Sequence, residues 1–331
     1  MKQLLLTKSS KNNKSLGCDR KSMCYGRIVE FIFMKRKVNG ILLLDKPAGI
    51  TSNAALQTVK RLFAANKAGH TGSLDPIATG MLPICFGEAT KFSQFLLEAD
   101  KHYIVTGKLG ETTKSADSEG DIIERREVKN VNTQTIEKIL PGFRGKISQL
   151  PPMYSALKHK GQPLYKLARQ GIEVERELRE VTMHMLRLLE LKDDFVKFEM
   201  HCSKGTYVRT VVADIGDVLG CGAHVIELRR LVVGPYKAEQ MVTLAQVQEL
   251  AEKSDYKALD QLLLPIESML VGMPEVTLNA DMAYYMHQGN PLLIPNTPDS
   301  GWVKIKSKDG KFLGVGEVMS DGKVSPKRMY R

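Results

Sequence analysis

Twelve consecutive residues restrict this chain most: Gly69-His70-Thr71-Gly72-Ser73-Leu74-Asp75-Pro76-Ile77-Ala78-Thr79-Gly80. Three glycines, a proline, a histidine and one carboxylate fall within them. Glycine admits backbone angles closed to other residues, and Pro76 removes a donor and fixes its own φ. Pro76 also pushes Asp75 out of the helical region. A long helix or a central strand is thereby barred, and the stretch predicts a shaped loop that presents one Asp. Asp-Pro also suits a helix start, with the Asp capping free amides, or a plain turn. Gly80 limits any such helix to about one turn.

With 331 residues, 43% of them hydrophobic, the chain has material for one large globular domain and a small one. The longest apolar runs, such as Ile41 to Leu44, are far too short to span a bilayer. A net charge of +11 points to a polyanionic partner, nucleic acid first, against the alternative of a merely basic surface. Cysteines 18, 24, 85, 202 and 221 form an odd, sparse set, which predicts reduced thiols in a cytoplasmic protein.

Residues 1 to 33 differ from the rest. Seven basic residues stand against two acidic ones, without sustained apolar period. Leu4-Leu5-Leu6 is too short for a signal-peptide core. Met34 is therefore expected to be the natural start, the rival being a basic RNA-binding tail. The N-terminal extension is placed at 1–36.

Val38 to Leu44 predicts a buried strand, followed by a helix capped at Thr51 or Ser52 with Leu56, Val59 and Phe63 inward. Strands are expected at Met81 to Phe86, Tyr103 to Leu109, Val181 to Leu191, Phe195 to Cys202 and His224 to Val232. Helices are expected at Glu88 to Leu97, with Phe92, Phe95 and Leu96 inward, and at Thr133 to Leu140, Val211 to Leu219 and Leu244 to Ala251. Residues 111 to 121 predict a polar loop and Pro265 to Pro274 a linker. Residues 275 to 331 mix a short helix around Met282 to His287 with Gly-rich strands. Mixed elements in this order predict an α+β fold.

Residues 151 to 180 are broken by Pro151, Pro152, Gly161, Pro163 and Gly171. Lys158, Lys160, Lys166, Arg169, Arg176 and Arg179 alternate there with Tyr154 and Tyr165. Cations beside aromatics suit single-stranded RNA, and a solvated surface loop is the other reading.

Cofactor chemistry finds no support. His201 and Cys202 are neighbours on a strand and point to opposite faces, so they do not ligate one metal together. Gly220-Cys221-Gly222 lacks the third glycine of a dinucleotide loop, and no Gly-Lys-Ser/Thr phosphate loop occurs. Pro83-Ile84-Cys85 lacks the second cysteine of a zinc deaminase. Neither a metal nor a cofactor is expected. A lone carboxylate can instead act as a nucleophile.

The run HTGSLDPIATG resembles the catalytic loop of the bacterial tRNA pseudouridine-55 synthases, the TruB family. Further matching motifs follow in order: Gly40-Ile41-Leu42-Leu43-Leu44-Asp45-Lys46-Pro47, Gly87-Glu88-Ala89-Thr90-Lys91, Asp100-Lys101-His102-Tyr103, Cys202-Ser203-Lys204-Gly205-Thr206-Tyr207-Val208-Arg209-Thr210 and Leu228-Arg229-Arg230-Leu231. The resemblance is close over about 37 to 264 and loose beyond.

The resemblance implies a catalytic domain at 37–264 with a mixed, largely antiparallel sheet of pseudouridine-synthase type. It implies a small PUA-like, β-rich RNA-binding domain at 275–331, and an insertion at 151–180 that closes over the tRNA T arm. Uridine-55 of the TΨC loop becomes pseudouridine, an isomerisation without redox change. Asp75 is implied as nucleophile on a flipped-out uridine, attacking C6 of the base or C1′ of the sugar, with Arg209 paired to it and favouring its charged form. Tyr103 lies against the base and is a candidate for the proton movement at C5. Tyr207 and Leu228 line the uracil pocket, His70 holds the flipped nucleotide or fills its place, and Lys46 and Lys91 join the substrate contacts. No membrane and no protein partner is required, and a monomer is expected. A tRNA-binding or folding protein without essential catalysis, and the same chemistry on another RNA, stay open beside this.

A chain beginning at Met34 is expected to melt and act like the full chain, since residues 1 to 33 supply no packed core. Thermal denaturation of the two forms checks this, and a large loss of stability on truncation would contradict it.

Overall fold

The computed structural model describes residues 35–330, and the expectations for residues 1 to 33 lie outside that range. The chain opens with β1 (Gly40–Lys46), a branched-apolar strand buried almost throughout. Lys46-Pro47 ends it, because proline cannot continue the ladder. The hydroxyl of Thr51 accepts from the Ala54 amide at 3.1 Å and so starts α1 (Ser52–Leu62). Its Leu56 and Val59 are buried, with Phe63 just past its end. These three fit the helical period expected for a core-facing face.

The remaining strands of the main sheet are β2 (Ala68–His70), β3 (Thr79–Phe86), β4 (Lys101–Leu109), β5 (Gly145–Gln149), β6 (Arg179–Lys192), β7 (Phe195–Cys202), β8 (Ala223–Val233) and β9 (Val242–Thr243). Their order is β9-β1-β3-β8-β4-β7-β6-β5, with β2 added beside β3. Pairs β1–β9 and β3–β8 are parallel and the others antiparallel. The fold is thus α+β with a mixed, largely antiparallel sheet. Helices α1, α2 (Val208–Val218) and α3 (Leu244–Glu252) contribute Val59, Val212 and Val247 to the core on one face of it.

The sheet splits between β3 and β8. Only Thr79 and Gly80 pair there, with Arg229 and Arg230. Gly80 has φ +96°, and a Cβ on it would lie 2.2 Å from the Arg230 carbonyl oxygen. No other residue permits that approach. Further along, β3 pairs with β2 instead, and the connection from β2 to β3 is the Asp75 loop.

The C-terminal part forms a second sheet from β10 (Glu275–Leu278), β11 (Leu292–Leu293), β12 (Gly301–Ser307), β13 (Phe312–Val318) and β14 (Lys323–Met329). Its order is β10-β12-β13-β14-β11, and Asn279 caps its one helix, α4 (Ala280–His287). Phe312 and Val315 of β13 share a core with Ile41, Met81, Phe92 and Leu96.

Three expectations are corrected. Glu88 to Leu97 is not one helix but a 3-10 turn, Gly87–Lys91, and a single α-turn, Gln94–Leu97. The Thr90 and Ser93 hydroxyls bond to the Gly87 and Thr90 carbonyls and compete with helical pairing. Phe92 and Leu96 are still buried, whereas Phe95 is half-buried and meets the Trp302 ring edge-on at 5.3 Å. Residues 111 to 121 are not all loop, because Glu111–Thr113 pairs with Ile122–Arg125. Pro265 to Pro274 is no free linker. It forms a 3-10 turn, Ile266–Leu270, whose Ile266, Met269 and Leu270 enter the shared core.

Leu270→Ala is accordingly expected to cost about 2–5 kcal/mol, as for any buried leucine. Urea denaturation measures it, and a change below about 0.5 kcal/mol would restore the linker reading.

Candidate active site

The Asp75 loop is held from three sides. The Ser52 hydroxyl, at the start of α1, accepts from the Leu74 amide at 2.7 Å and donates to the Leu74 carbonyl at 3.0 Å. The Ala78 amide donates to the Asp75 carbonyl at 3.0 Å, closing a turn with Pro76 at its second position. The Gly49 amide reaches the Pro76 carbonyl at 2.8 Å. Asp-Pro here makes a turn rather than a helix cap, and the carboxylate is free to point elsewhere.

It points to Arg209. That residue lies in the first turn of α2, which begins three residues before the expected Val211. The Arg209 Nε donates to Asp75 Oδ2 at 2.9 Å and Nη2 to Oδ1 at 3.3 Å, a two-pronged pair. Nη2 also donates to the Tyr154 carbonyl at 2.7 Å, and Nη1 to the Ser115 carbonyl at 2.6 Å. Asp117 Oδ2 lies 3.4 Å from Nη1. Asp117 is itself buried and accepts from the Ser115 hydroxyl and the Glu119 amide.

Burial pushes the Asp75 carboxyl above its ordinary 3.8, and Asp117 adds to that, while Arg209 and Lys46 pull the other way. The net direction is upward, so Arg209 offsets the burial only in part. The expectation that Arg209 favours the charged form holds for its own contribution but not for the balance.

Tyr103 on β4 is buried, with Leu228 and Arg230 of β8 on the neighbouring strand. The phenol is pushed up by burial, with the Asp75 charge acting in the same direction. Leu228 is buried, and its carbonyl accepts from the Thr79 hydroxyl at 3.5 Å. Tyr207 precedes α2 and is half-buried. Its amide donates to Gln149 Oε1 at 2.8 Å, and Gln149 Nε2 donates back to its carbonyl at 3.0 Å. His70 closes β2. Its Nδ1 is buried without a partner, and burial and Arg230 hold the ring below its ordinary 6.5.

Asp75, Arg209, Tyr103, Tyr207 and Leu228 thus gather around the split in the sheet, with His70 at its edge. Two expected substrate contacts do not join them as such. Lys46 is fully buried, and its Nζ donates to the Pro47, Ile50 and Pro76 carbonyls at 2.8, 2.7 and 3.3 Å. All three of its hydrogens are taken, so it braces the Asp75 loop from beneath rather than meeting a ligand. Burial brings it down to about 8. Lys91 pairs with Glu88 and reaches the Met329 carbonyl. It lines a separate cleft of about 400 Å³ with His287, Lys327 and Arg328. Ser52, Asp117, Gln149 and Arg230 belong to the site without having been singled out. Arg230 stands inside the quoted Leu-Arg-Arg-Leu run, and Ser52 has a signal only as a possible helix cap.

Residues 60–208 match the model of the TruB family pseudouridylate synthase N-terminal domain. Residues 209–271 match the tRNA pseudouridylate synthase B C-terminal domain, and 274–330 the pseudouridine synthase II TruB C-terminal domain. The protein named tRNA pseudouridine synthase B in Coxiella burnetii (strain RSA 493 / Nine Mile phase I) is 55% identical over 297 residues, 90% of this chain and 96% of that one. The chain belongs to the TruB family of pseudouridylate synthases. As a pseudouridine synthase it is an isomerase. Another relative of the same name, from Nitrosococcus oceani, is 52% identical over 297 residues, 90% of this chain and 96% of that one. Among solved structures, a chain of a Cbf5-Nop10-Gar1 complex superposes with a TM-score of 0.68 at 27% identity. That match covers 88% of this TruB-family chain and 85% of the other. No described helix is long and apolar enough to cross a membrane.

A carboxyl whose folded pKa is raised binds its proton more readily in the folded state. Its ionised form then costs stability above the folded pKa, and that cost vanishes as pH falls below the ordinary 3.8. Asp75→Asn is therefore expected to be as stable as the unchanged protein at pH 7, or more so. Urea titration checks this, and a loss above about 1 kcal/mol would mean that the ion pair outweighs the burial.

Proposed function

We propose that this protein converts uridine-55 in the TΨC loop of tRNA to pseudouridine, with Asp75 as the nucleophile. The observation that carries this reading is the carboxylate itself. It sits on a rigid loop, one prong of a buried arginine on each oxygen, beside two buried or half-buried tyrosines. The names of the relatives, tRNA pseudouridine synthase B, support tRNA as the substrate.

Forming pseudouridine breaks the N1–C1′ bond, turns the base and joins C5 to C1′. No oxidant, reductant or energy source enters. The reaction needs a fixed, ionised carboxylate at carbon and walls that keep the freed base. Arg209 holds the carboxylate in one orientation, so little reorganisation is left for the reaction itself. In this reading Leu228 and Tyr207 supply the walls, and Tyr103 is the candidate for the proton movement at C5. His70, neutral and short of one hydrogen-bond partner, can take up a flipped nucleotide or the gap it leaves.

The insertion supports the T arm as the partner. Leu164, Leu167 and Met153 give it a small core of its own, and Arg169 lies over the Tyr165 ring at 5.6 Å. An arginine stacked on an aromatic beside Lys158, Lys160 and Lys166 suits phosphates and bases of a looped RNA. Through the Tyr154 carbonyl the same insertion reaches Arg209, which links RNA closure to the nucleophile's partner. A monomer working in the cytoplasm without a protein partner fits this reading, with residues 37–264 as the catalytic domain and 275–331 as a PUA-like RNA-binding domain.

Affinity for tRNA is expected to fall at least about 100-fold between about 50 and 200 mM salt, as bound phosphates release counterions. A flat salt response in filter binding would contradict an RNA interface. Asp75→Asn is expected to form no detectable pseudouridine while tRNA affinity stays within about threefold, because phosphate contacts carry most of the binding. Arg209→Lys keeps a charge but loses the fork, and is expected to slow turnover by about 100-fold or more. The measure is single-turnover release of the C5 hydrogen from labelled tRNA, and near-normal turnover in Asp75→Asn would remove Asp75 from its role.

A further inference from the structure

The buried charge of the molecule is one-sided. Among the described residues, Lys46, Lys101, Arg209 and Arg230 are all buried. Against them stand one buried carboxylate, Asp117, and the partly open Asp75. Arg209 engages both carboxylates. Lys46 and Lys101 spread their ammonium hydrogens over backbone carbonyls and are brought down to about 8.

Arg230 also donates to carbonyls, but it has no carboxylate partner among the described residues and cannot shed its charge. It is 2% exposed. Its Nε donates to the Met81 carbonyl at 2.7 Å and its Nη2 to the Gly72 carbonyl at 3.1 Å. A buried cation without an anion is expensive, because its lost hydration has no counter-charge to offset it. A cation so placed is offset if an anion forms beside it during the reaction.

Its neighbours say where. Arg230 lies across from Tyr103 on β4 and from Gly80 on β3, and it holds Gly72 three residues before Asp75. Tyr103 faces Arg230 from β8, Cys202 from β7 and Asp75 from the loop; of these only Arg230 favours the charged phenolate.

We propose that Arg230 is a positioning residue that stabilises negative charge on the Tyr103 oxygen while Tyr103 passes a proton from C5 to N1 of the base. This rests on the reading of the site as a pseudouridine synthase. Uridine carries hydrogen on C5 and none on N1; pseudouridine carries the reverse. Once C5 is joined to C1′, the C5–H bond breaks and its electron pair becomes the C5–C6 double bond. The pair of the C6–N1 double bond binds a proton at N1. The Tyr103 hydroxyl gives that proton, and its oxygen takes the one from C5. The phenol is regenerated and nothing is consumed. Between the two transfers the oxygen is anionic in a dry site, where the fixed guanidinium stabilises it without reorganisation.

The test compares Arg230→Gln, which removes the charge, with Arg230→Lys, which keeps it, in the full chain with tRNA. Arg230→Gln is expected to slow single-turnover pseudouridine formation by about 100-fold with tRNA affinity within about threefold. Arg230→Lys is expected to recover at least about tenfold of that loss. In a Tyr103→Phe background, where no phenolate forms, Arg230→Gln should cost less than about threefold more. A purely structural role would lower rate and affinity together, in both backgrounds. A normal rate in Arg230→Gln, no recovery in Arg230→Lys, or a full loss in the Tyr103→Phe background would each overturn the proposal. Should thermal melting find Arg230→Gln unfolded, Arg230→Lys measured with and without Tyr103→Phe decides by the same non-additivity. Pseudouridine formation by the unchanged protein is the control, and its failure would sink the proposed function itself.

Discussion

The five hydrogens of the Arg209 guanidinium organise this molecule's functional centre. Two go to Asp75, one to the Tyr154 carbonyl, and the remaining pair face the Ser115 carbonyl and Asp117. Those partners come from three places in the chain, the glycine-rich loop, the turn after the short Glu111–Thr113 strand and the head of the insertion, and Arg209 joins them to α2. A lysine has three donors on one atom and cannot span this set. These three segments are therefore referred to one planar group, whose own position is set by the first turn of a helix packed on the sheet.

The sheet supplies the opening. Because β8 leaves β3 after two pairs, a gap exists in an otherwise continuous ladder, and the Asp75 loop fills its rim. Gly80 makes the close approach of β3 and β8 possible, while Ser52 and Lys46 tie the loop to α1 and to the Pro47 turn. Rigid elements thus hold a loop that by composition would otherwise be mobile, and a loop so held can keep a nucleophile in one orientation.

Much of this was legible in the sequence. The loop, the strands Tyr103 to Leu109 and Phe195 to Cys202, and the apolar face of α1 each follow from local rules of backbone and periodicity. The family motifs name Asp75, Tyr103, Tyr207, Arg209 and Leu228 together. Asp117, Gln149 and Ser52 were not legible, because an ordinary polar residue becomes part of a site only through distant chain neighbours, and no local pattern records that. Lys46 was read as a ligand contact from its motif; only its three carbonyl partners reveal a brace. The break in Glu88 to Leu97 comes from hydroxyls competing for carbonyls, and the packing of Ile266 to Leu270 comes from a second sheet pressing on the first. Both are tertiary effects that override local propensity.

The proposed chemistry is that one fixed carboxylate makes pseudouridine at one place in tRNA. Its most direct test is to incubate unmodified tRNA with the purified protein and map pseudouridine base by base. A single new pseudouridine is expected, at position 55 in the TΨC loop and dependent on Asp75. Pseudouridine appearing elsewhere, or none at all from a folded protein that binds tRNA, would contradict it.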